Sequence, residues 1–215
     1  MKKLLSLIVI FALALSLAAC GNAPESAPSS DAPQSSADSS GTATDVSSGA
    51  TPDATRILVA YFSATGHTAP IAKHAAEILD ADLYEIKAKV PYTEADLAYY
   101  TDGRCDKEQA DPSVRPEIDG KVENMEQYDI ILIGHPIWHG QAPRIISTFL
   151  ESYDFANKTL VTFCTSASSG LGSSASNLYG LVPSSAKWLE SRRFAIGASN
   201  EEVGEWLAEI GLVDI

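Results

Sequence analysis

Three short apolar runs, each ending in a turn that leads into an amphipathic segment, constrain this chain more than any other feature. Ile57-Leu58-Val59-Ala60-Tyr61-Phe62 runs into Ser-Ala-Thr-Gly, and Asp129-Ile130-Ile131-Leu132-Ile133-Gly134 is the plainest of the set. Thr159 to Cys164 makes the third. Runs of this length, without polar alternation, read as strands buried on both faces, the habit of a parallel sheet covered by helices. Asp82 to Lys87, with Leu83, Tyr84 and Ile86, reads as a further strand, and the region from Trp188 to Ile196 as another.

Helical segments fall between the strands. Ala72, Ala75, Ala76 and Leu79 share one helical face, as do Ala142, Ile146, Phe149 and Tyr153, where Pro143 suits the first turn. Leu171 to Leu181 reads as a short helix. Ser199 and Glu202 form a capping box ahead of a face made by Val203, Trp206, Leu207 and Ile210, and Gly211 ends that helix. Alternation of this kind implies an α/β fold: a doubly wound, five-stranded parallel sheet with helices on both faces. The strand order expected is 2-1-3-4-5. Residues 88 to 127 break the rhythm with a long polar excursion, and such insertions in compact domains usually serve function.

In folds of this class a ligand sits beyond the carboxyl ends of the strands, at the switch point beside the first strand. The residues there are Ser63, Ala64, Thr65, Gly66, His67 and Thr68. Three hydroxyls and successive backbone N–H groups at a helix N-terminus suit a phosphate dianion. No Lys or Arg occurs between Phe62 and Ala72, so neutral donors would hold it, unlike the Gly-Lys-Ser/Thr of a P-loop.

Ser-x-Thr-Gly-x-Thr after the first strand resembles the FMN-phosphate loop of flavodoxins, and the likeness extends over nearly all of residues 56 to 215. The resemblance implies a flavodoxin-like fold with FMN as cofactor. It places Pro136, Ile137, Trp138, His139 and Gly140 against the isoalloxazine ring, with Trp138 as the stacking aromatic and Gly140 allowing close approach of the backbone. It makes Thr165, Ser166, Ala167, Ser168 and Gly170 the second flavin loop, meeting the ring edge through N–H groups and hydroxyls. Short-chain flavodoxins carry a stacking Tyr in that second loop, and this chain does not. Pro91-Tyr92-Thr93, Asp96-Leu97 to Tyr100, Arg104 and Asp111-Pro112-x-x-Arg115-Pro116 resemble a segment of a bacterial subfamily, which makes Tyr99 or Tyr100 a candidate cover for the exposed flavin face. An aromatic wall and a negative protein both disfavour an anionic reduced flavin, so a low potential is expected.

Other signals weigh less. Gly170-Leu171-Gly172-Ser173-Ser174-Ala175 fits a dinucleotide fingerprint with Glu190 twenty residues on, but it follows the fourth strand rather than the first. His67 reads as a solvent-side loop residue and His74 as an exposed helical one. His135 and His139 flank the ring site, where either could donate to the flavin or relay a proton. The two do not share a helical face, so no metal set is assigned, and no Gly-x-Ser-x-Gly elbow occurs. No catalytic residue is named. Cys105 and Cys164 lack paired spacing, so neither a metal site nor a disulfide framework is indicated.

The N-terminal segment reads as a targeting signal. Lys2 and Lys3 precede an apolar stretch from Leu4 to Leu15, and Leu17-Ala18-Ala19-Cys20-Gly21 resembles a bacterial lipobox. This implies a signal peptide over 1–19, a lipid on Cys20, and a tether to residue 55 made of Ser, Ala, Pro, Thr, Gly and Asp with five acids and no base. Residues 56–215 then form one domain with 23 acids against 13 bases, within a chain of net charge −13. Such acidity argues against nucleic acid and suits docking on a basic redox partner. Three functions stay open: an extracytoplasmic electron carrier held at the cell membrane by its lipid anchor alone and serving a partner protein, a small FMN-dependent reductase passing hydride from a nicotinamide to a quinone-like acceptor, and a non-redox binder of flavin or another phosphorylated ligand.

Overall fold

The computed structural model describes residues 55–214. The signal peptide, Cys20 and the tether expected from the sequence lie outside the described residues, apart from Thr55.

Strand β1 (Ile57–Tyr61) pairs in parallel with β2 (Asp82–Glu85) on one side and β5 (Ile130–Pro136) on the other. β5 pairs in parallel with β6 (Thr159–Thr165), with Ile130 opposite Thr159 and Pro136 opposite Thr165. The sheet is completed by β7 (Lys187–Trp188) and β8 (Arg192–Phe194), both parallel to β6. The expected order is therefore found, with one change: the fifth strand is two short pieces. Between them Thr162 donates its hydroxyl to Ser191 Oγ at 2.8 Å, a side-chain bond where the two ladders leave a gap. Ile196, expected at the end of that strand, lies beyond it and is exposed.

Helices α1 (Thr68–Leu79) and α5 (Asn200–Glu209) cover one face, and α4 (Arg144–Glu151) lies on the other. Successive residues of β1 serve opposite cores: Leu58 and Ala60 face the α4 side, Val59 and Tyr61 the α1/α5 side. Ala72, Ala75 and Ala76 are buried as expected, and their small size lets α1 lie close on the sheet. Trp206 of α5 packs edgewise on Phe163 and Phe194, with centroids 5.8 and 5.4 Å away. The Ser199–Glu202 capping box forms with both of its bonds. Pro143 stands at the N-cap of α4 rather than inside its first turn. The helix read over 171–181 narrows to a 3-10 helix at Ser176–Leu181.

The excursion is ordered structure rather than a bare loop. β3 (Lys87–Ala88) pairs antiparallel with β4 (Ile118–Asp119), and between them lie α2 (Glu94–Leu97) and α3 (Arg104–Ala110). The strand read over 82–87 is thus divided: Ile86 turns its side chain into the core, and Lys87 begins the separate ribbon. Thr93 and Asp96 cap α2 reciprocally. Arg104 lies 3.9 Å over the Tyr92 ring and bonds Glu108, which also accepts from Tyr92 Oη at 2.6 Å. Arg115 grips Glu151 of α4 through two bonds.

Candidate functional site

The carboxyl ends of β1, β5 and β6 open on one cleft of about 620 Å³. Its wall combines Thr65 and His67 after β1, Pro136 to Gly140 after β5, Thr165 to Ser169 at β6, and Leu97, Tyr99 and Tyr100 from the excursion. Ser63, Ala64, Gly66, Thr68 and Gly170 were expected at the site and do not line this cleft. No lining residue is Lys or Arg.

The first loop turns on Gly66, whose φ of +82° suits a residue without Cβ. Ser63 Oγ accepts the N–H groups of Thr68 (3.0 Å) and Ala69 (3.2 Å), so Ser63 caps α1 from inside. The N–H groups of Thr65, Gly66 and His67 find no protein acceptor among the described residues. Three exposed residues therefore offer free donors at the positive end of a twelve-residue helix. Thr68 has a different place from the one expected. It is 1% exposed, and its Oγ1 lies 2.8 Å from Thr165 Oγ1.

The loop after β5 is a tight turn. Trp138 and Gln141 exchange both backbone bonds, at 2.8 and 2.9 Å, around His139 and Gly140 with φ of 48° and 75°. Positive φ at both central residues is what a type I′ turn requires. Trp138 itself is 5% exposed, packed edge-on against Phe62 and Tyr92 at 5.4 and 5.1 Å. Its indole supports the loop from beneath instead of presenting an open stacking face.

The exposed aromatic surface belongs to the excursion. Tyr99 lies 4.7 Å from the His139 ring and donates to the Ile137 carbonyl at 3.3 Å. Tyr100, 90% exposed, stands edge-on to His139 at 5.6 Å. Two polar residues of α3 dock this segment on the loop after β5. Gln109 donates to the carbonyls of Trp138 (3.0 Å) and Ala142 (3.2 Å) and accepts from Arg144 N–H. Asp106 accepts from His139 Nε2 at 2.7 Å. Burial opposes ionisation of Asp106, but bonds from Thr101, Tyr100, His139 and Asp102 outweigh it and hold its carboxyl below the ordinary carboxylate range. Neither residue stood out in the sequence. The one available signal was burial-type spacing at Cys105, Glu108 and Gln109 in a segment that otherwise reads as polar.

The loop after β6 closes on itself. Ser166 Oγ accepts from Ser168 and Ser169 N–H, and Arg193 donates to the carbonyls of Ser166 (2.7 Å) and Ser169 (3.2 Å). His135 is absent from the cleft: it is wholly buried, and burial pushes its pKa down to about 4. That removes it as a flavin donor. His74 is half-buried beside Asn200, which corrects its expected exposure. Among the described residues no helix is long and apolar enough to cross a membrane.

A flavin would fit this arrangement on the structure's own terms: free N–H donors for a dianion at one end, and a cleft walled by aromatic and peptide surface at the other. A family model described as Flavodoxin matches residues 56–210. A solved structure from Bacteroides eggerthii DSM 20697, described as a flavoprotein, is 40% identical, covers 74% of this chain and 99% of its own, and superposes with a TM-score of 0.66. A second, from Bacteroides uniformis ATCC 8492, is 42% identical over 72% of this chain and 98% of its own, also at 0.66. A Lactobacillus acidophilus NCFM flavoprotein in complex with FMN is 25% identical over 71% and 99%, at 0.52. A search of curated proteins gives no match.

Proposed function

The chain belongs to the flavodoxin family, and from that premise we propose that it binds FMN and carries electrons to and from a partner. The observation that supports this most is the row of free N–H groups at Thr65, Gly66 and His67, set at the N-terminus of α1 beside a cleft whose lining holds no Lys or Arg. Neutral donors and a helix dipole select a phosphate dianion without the strong field of a lysine. The complex of the Lactobacillus relative with FMN supports the same ligand.

Bound FMN would supply a ring able to accept one or two electrons with their protons. The protein's part is to hold and shield it. Thr65 and the N–H groups beside it would take the phosphate, the His139–Gly140 turn would meet the ring, and the self-bonded loop at Ser166 would border its edge. The acidic surface favours a basic partner protein. We further propose that the signal-like segment and Cys20 carry the domain outside the cytoplasm on a lipid anchor, which the mass of the mature chain would reveal as a lipid lost in a Cys20→Ser variant.

The test uses the full-length chain loaded with FMN and freed of excess. Under anaerobic conditions NADH or NADPH is added and the visible flavin band followed. Bleaching by dithionite but not by nicotinamides is the expected outcome for a carrier. Rapid bleaching by a nicotinamide would make the protein a reductase, and no tighter binding of FMN than of riboflavin would remove the phosphate site.

A further inference from the structure

Asp106 lies on α3, outside the three loops at the strand ends, yet its carboxylate takes four hydrogen bonds. Oδ1 accepts from Tyr100 N–H at 3.2 Å and from His139 Nε2 at 2.7 Å. Oδ2 accepts from Thr101 N–H at 2.8 Å and Asp102 N–H at 3.0 Å. Three of these four donors have left-handed backbones: Tyr100 at φ 61°, Asp102 at 59° and His139 at 48°. Among the described residues only six non-glycine residues have positive φ, so half of them are direct partners of one side chain.

Strained backbone of this kind persists only where the surroundings over-determine it, and it gathers at sites where geometry matters. Burial does not repay it at Tyr100, a residue 90% exposed. What the strain does achieve is placement. It sets the Tyr100 ring edge-on to His139 at the cleft mouth, beside Tyr99, whose hydroxyl reaches the Ile137 carbonyl. It also fixes the His139 turn from outside. The loop after β6 holds no aromatic residue, so the excursion is the source of exposed aromatic surface on this cleft.

We propose that Asp106 is a positioning residue for the flavin site, holding Tyr99 and Tyr100 as the outer aromatic wall on which the isoalloxazine ring packs and pinning His139 at the same wall. The inference rests on the FMN reading above. A purely structural Asp106, one that only caps the start of α3, would affect stability and leave flavin affinity untouched.

The experiment titrates the full-length chain with FMN and with riboflavin, following flavin fluorescence, in the wild type, Asp106→Asn, Tyr100→Ala and the double variant. Asn cannot accept the full set of bonds, so Asp106→Asn should weaken both flavins by the same factor, about tenfold or more. An equal loss for the two flavins marks an effect on the ring rather than the phosphate. The double variant should lose less than the product of the single losses, because Asp106 acts through Tyr100. Tyr100→Gly gives a readout that does not depend on Asp106→Asn folding: it relieves the positive φ, so thermal stability should hold or rise while affinity for both flavins falls. Wild-type affinity in Asp106→Asn, independent losses in the double variant, or unchanged affinity in Tyr100→Gly would each overturn the proposal. A wild type that binds neither flavin would overturn the FMN reading as well, which separates the two failures.

Discussion

Thr68 Oγ1 and Thr165 Oγ1 lie 2.8 Å apart, joining the first residue of α1 to the last of β6, and so the loops beside them, across the intervening end of β5. Both hydroxyls are buried, so each is satisfied chiefly by the other. Thr68→Val keeps the shape and strands Thr165, at a cost of about 1–3 kcal/mol in unfolding free energy. Because the bond sets the spacing of two loops, the variant should weaken FMN and riboflavin together. The double Thr68→Val, Thr165→Val chain should recover much of the stability, measured by urea denaturation.

Thr65 behaves differently because it is exposed at the loop tip beside the free N–H groups. Thr65→Ala should reduce FMN affinity by about 1.5–3 kcal/mol, the worth of a hydrogen bond to a charged group, and leave riboflavin unaffected. Parallel titrations with the two flavins check this, and an equal loss for both would move the phosphate elsewhere.

Cys105 and Cys164 are free thiols, both buried. Burial pushes Cys105 up to about 12 and Cys164 up to about 11, the latter despite a bond from Ser174 and the nearby Arg193 charge. At neutral pH neither holds a useful fraction of thiolate. Thiol labelling mapped by mass spectrometry should therefore leave both unmodified in the native protein and modify both in denaturant.

The parts of this molecule legible in the sequence are those whose signal is local. β1, β5 and β6 are buried on both faces, so their apolar runs could be read directly, and the Ser199–Glu202 cap is a four-residue pattern. The free donors after β1 follow from where the fold puts a switch point. Trp138 shows the limit: an aromatic in a loop looks available, and only the positions of Phe62 and Tyr92 reveal that it is enclosed. Asp106, Glu108 and Gln109 show the reverse case. They look like an ordinary polar helix surface, and their partners at His139, Tyr92 and Trp138 lie between 16 and 33 residues away in sequence.

Gly134 illustrates a constraint hidden in a plain strand. A Cβ there would lie 2.3 Å from Phe163 Cζ, and that ring is held by Phe194 and Trp206. Gly134→Ala must displace an aromatic cluster and should destabilise the protein by about 1–3 kcal/mol or more, seen as a lowered thermal midpoint. Its neighbour Ile133→Val, which removes one methylene and adds no clash, should cost about 0.5–1.5 kcal/mol.

His135 gives the stability a pH dependence with a definite sign. Its Nδ1 donates to the Pro136 carbonyl at 3.0 Å, and Nε2 is buried without a partner, an arrangement that suits the neutral ring alone. Burial lowers its pKa from 6.5 to about 4. The unfolded chain therefore binds a proton before the folded one does as pH falls, and stability present above pH 6.5 is lost progressively down to about 4. The full loss is on the order of 3 kcal/mol. Asp96, Asp106 and Asp111 have carboxyls lowered from 3.8, so they keep their charge through most of that window and do not mimic the effect. Urea denaturation between pH 7.5 and 4.5, compared with His135→Leu, separates the imidazole from the rest. The wild type should lose stability faster than the variant as pH falls, and parallel slopes would place the acid sensitivity in another group.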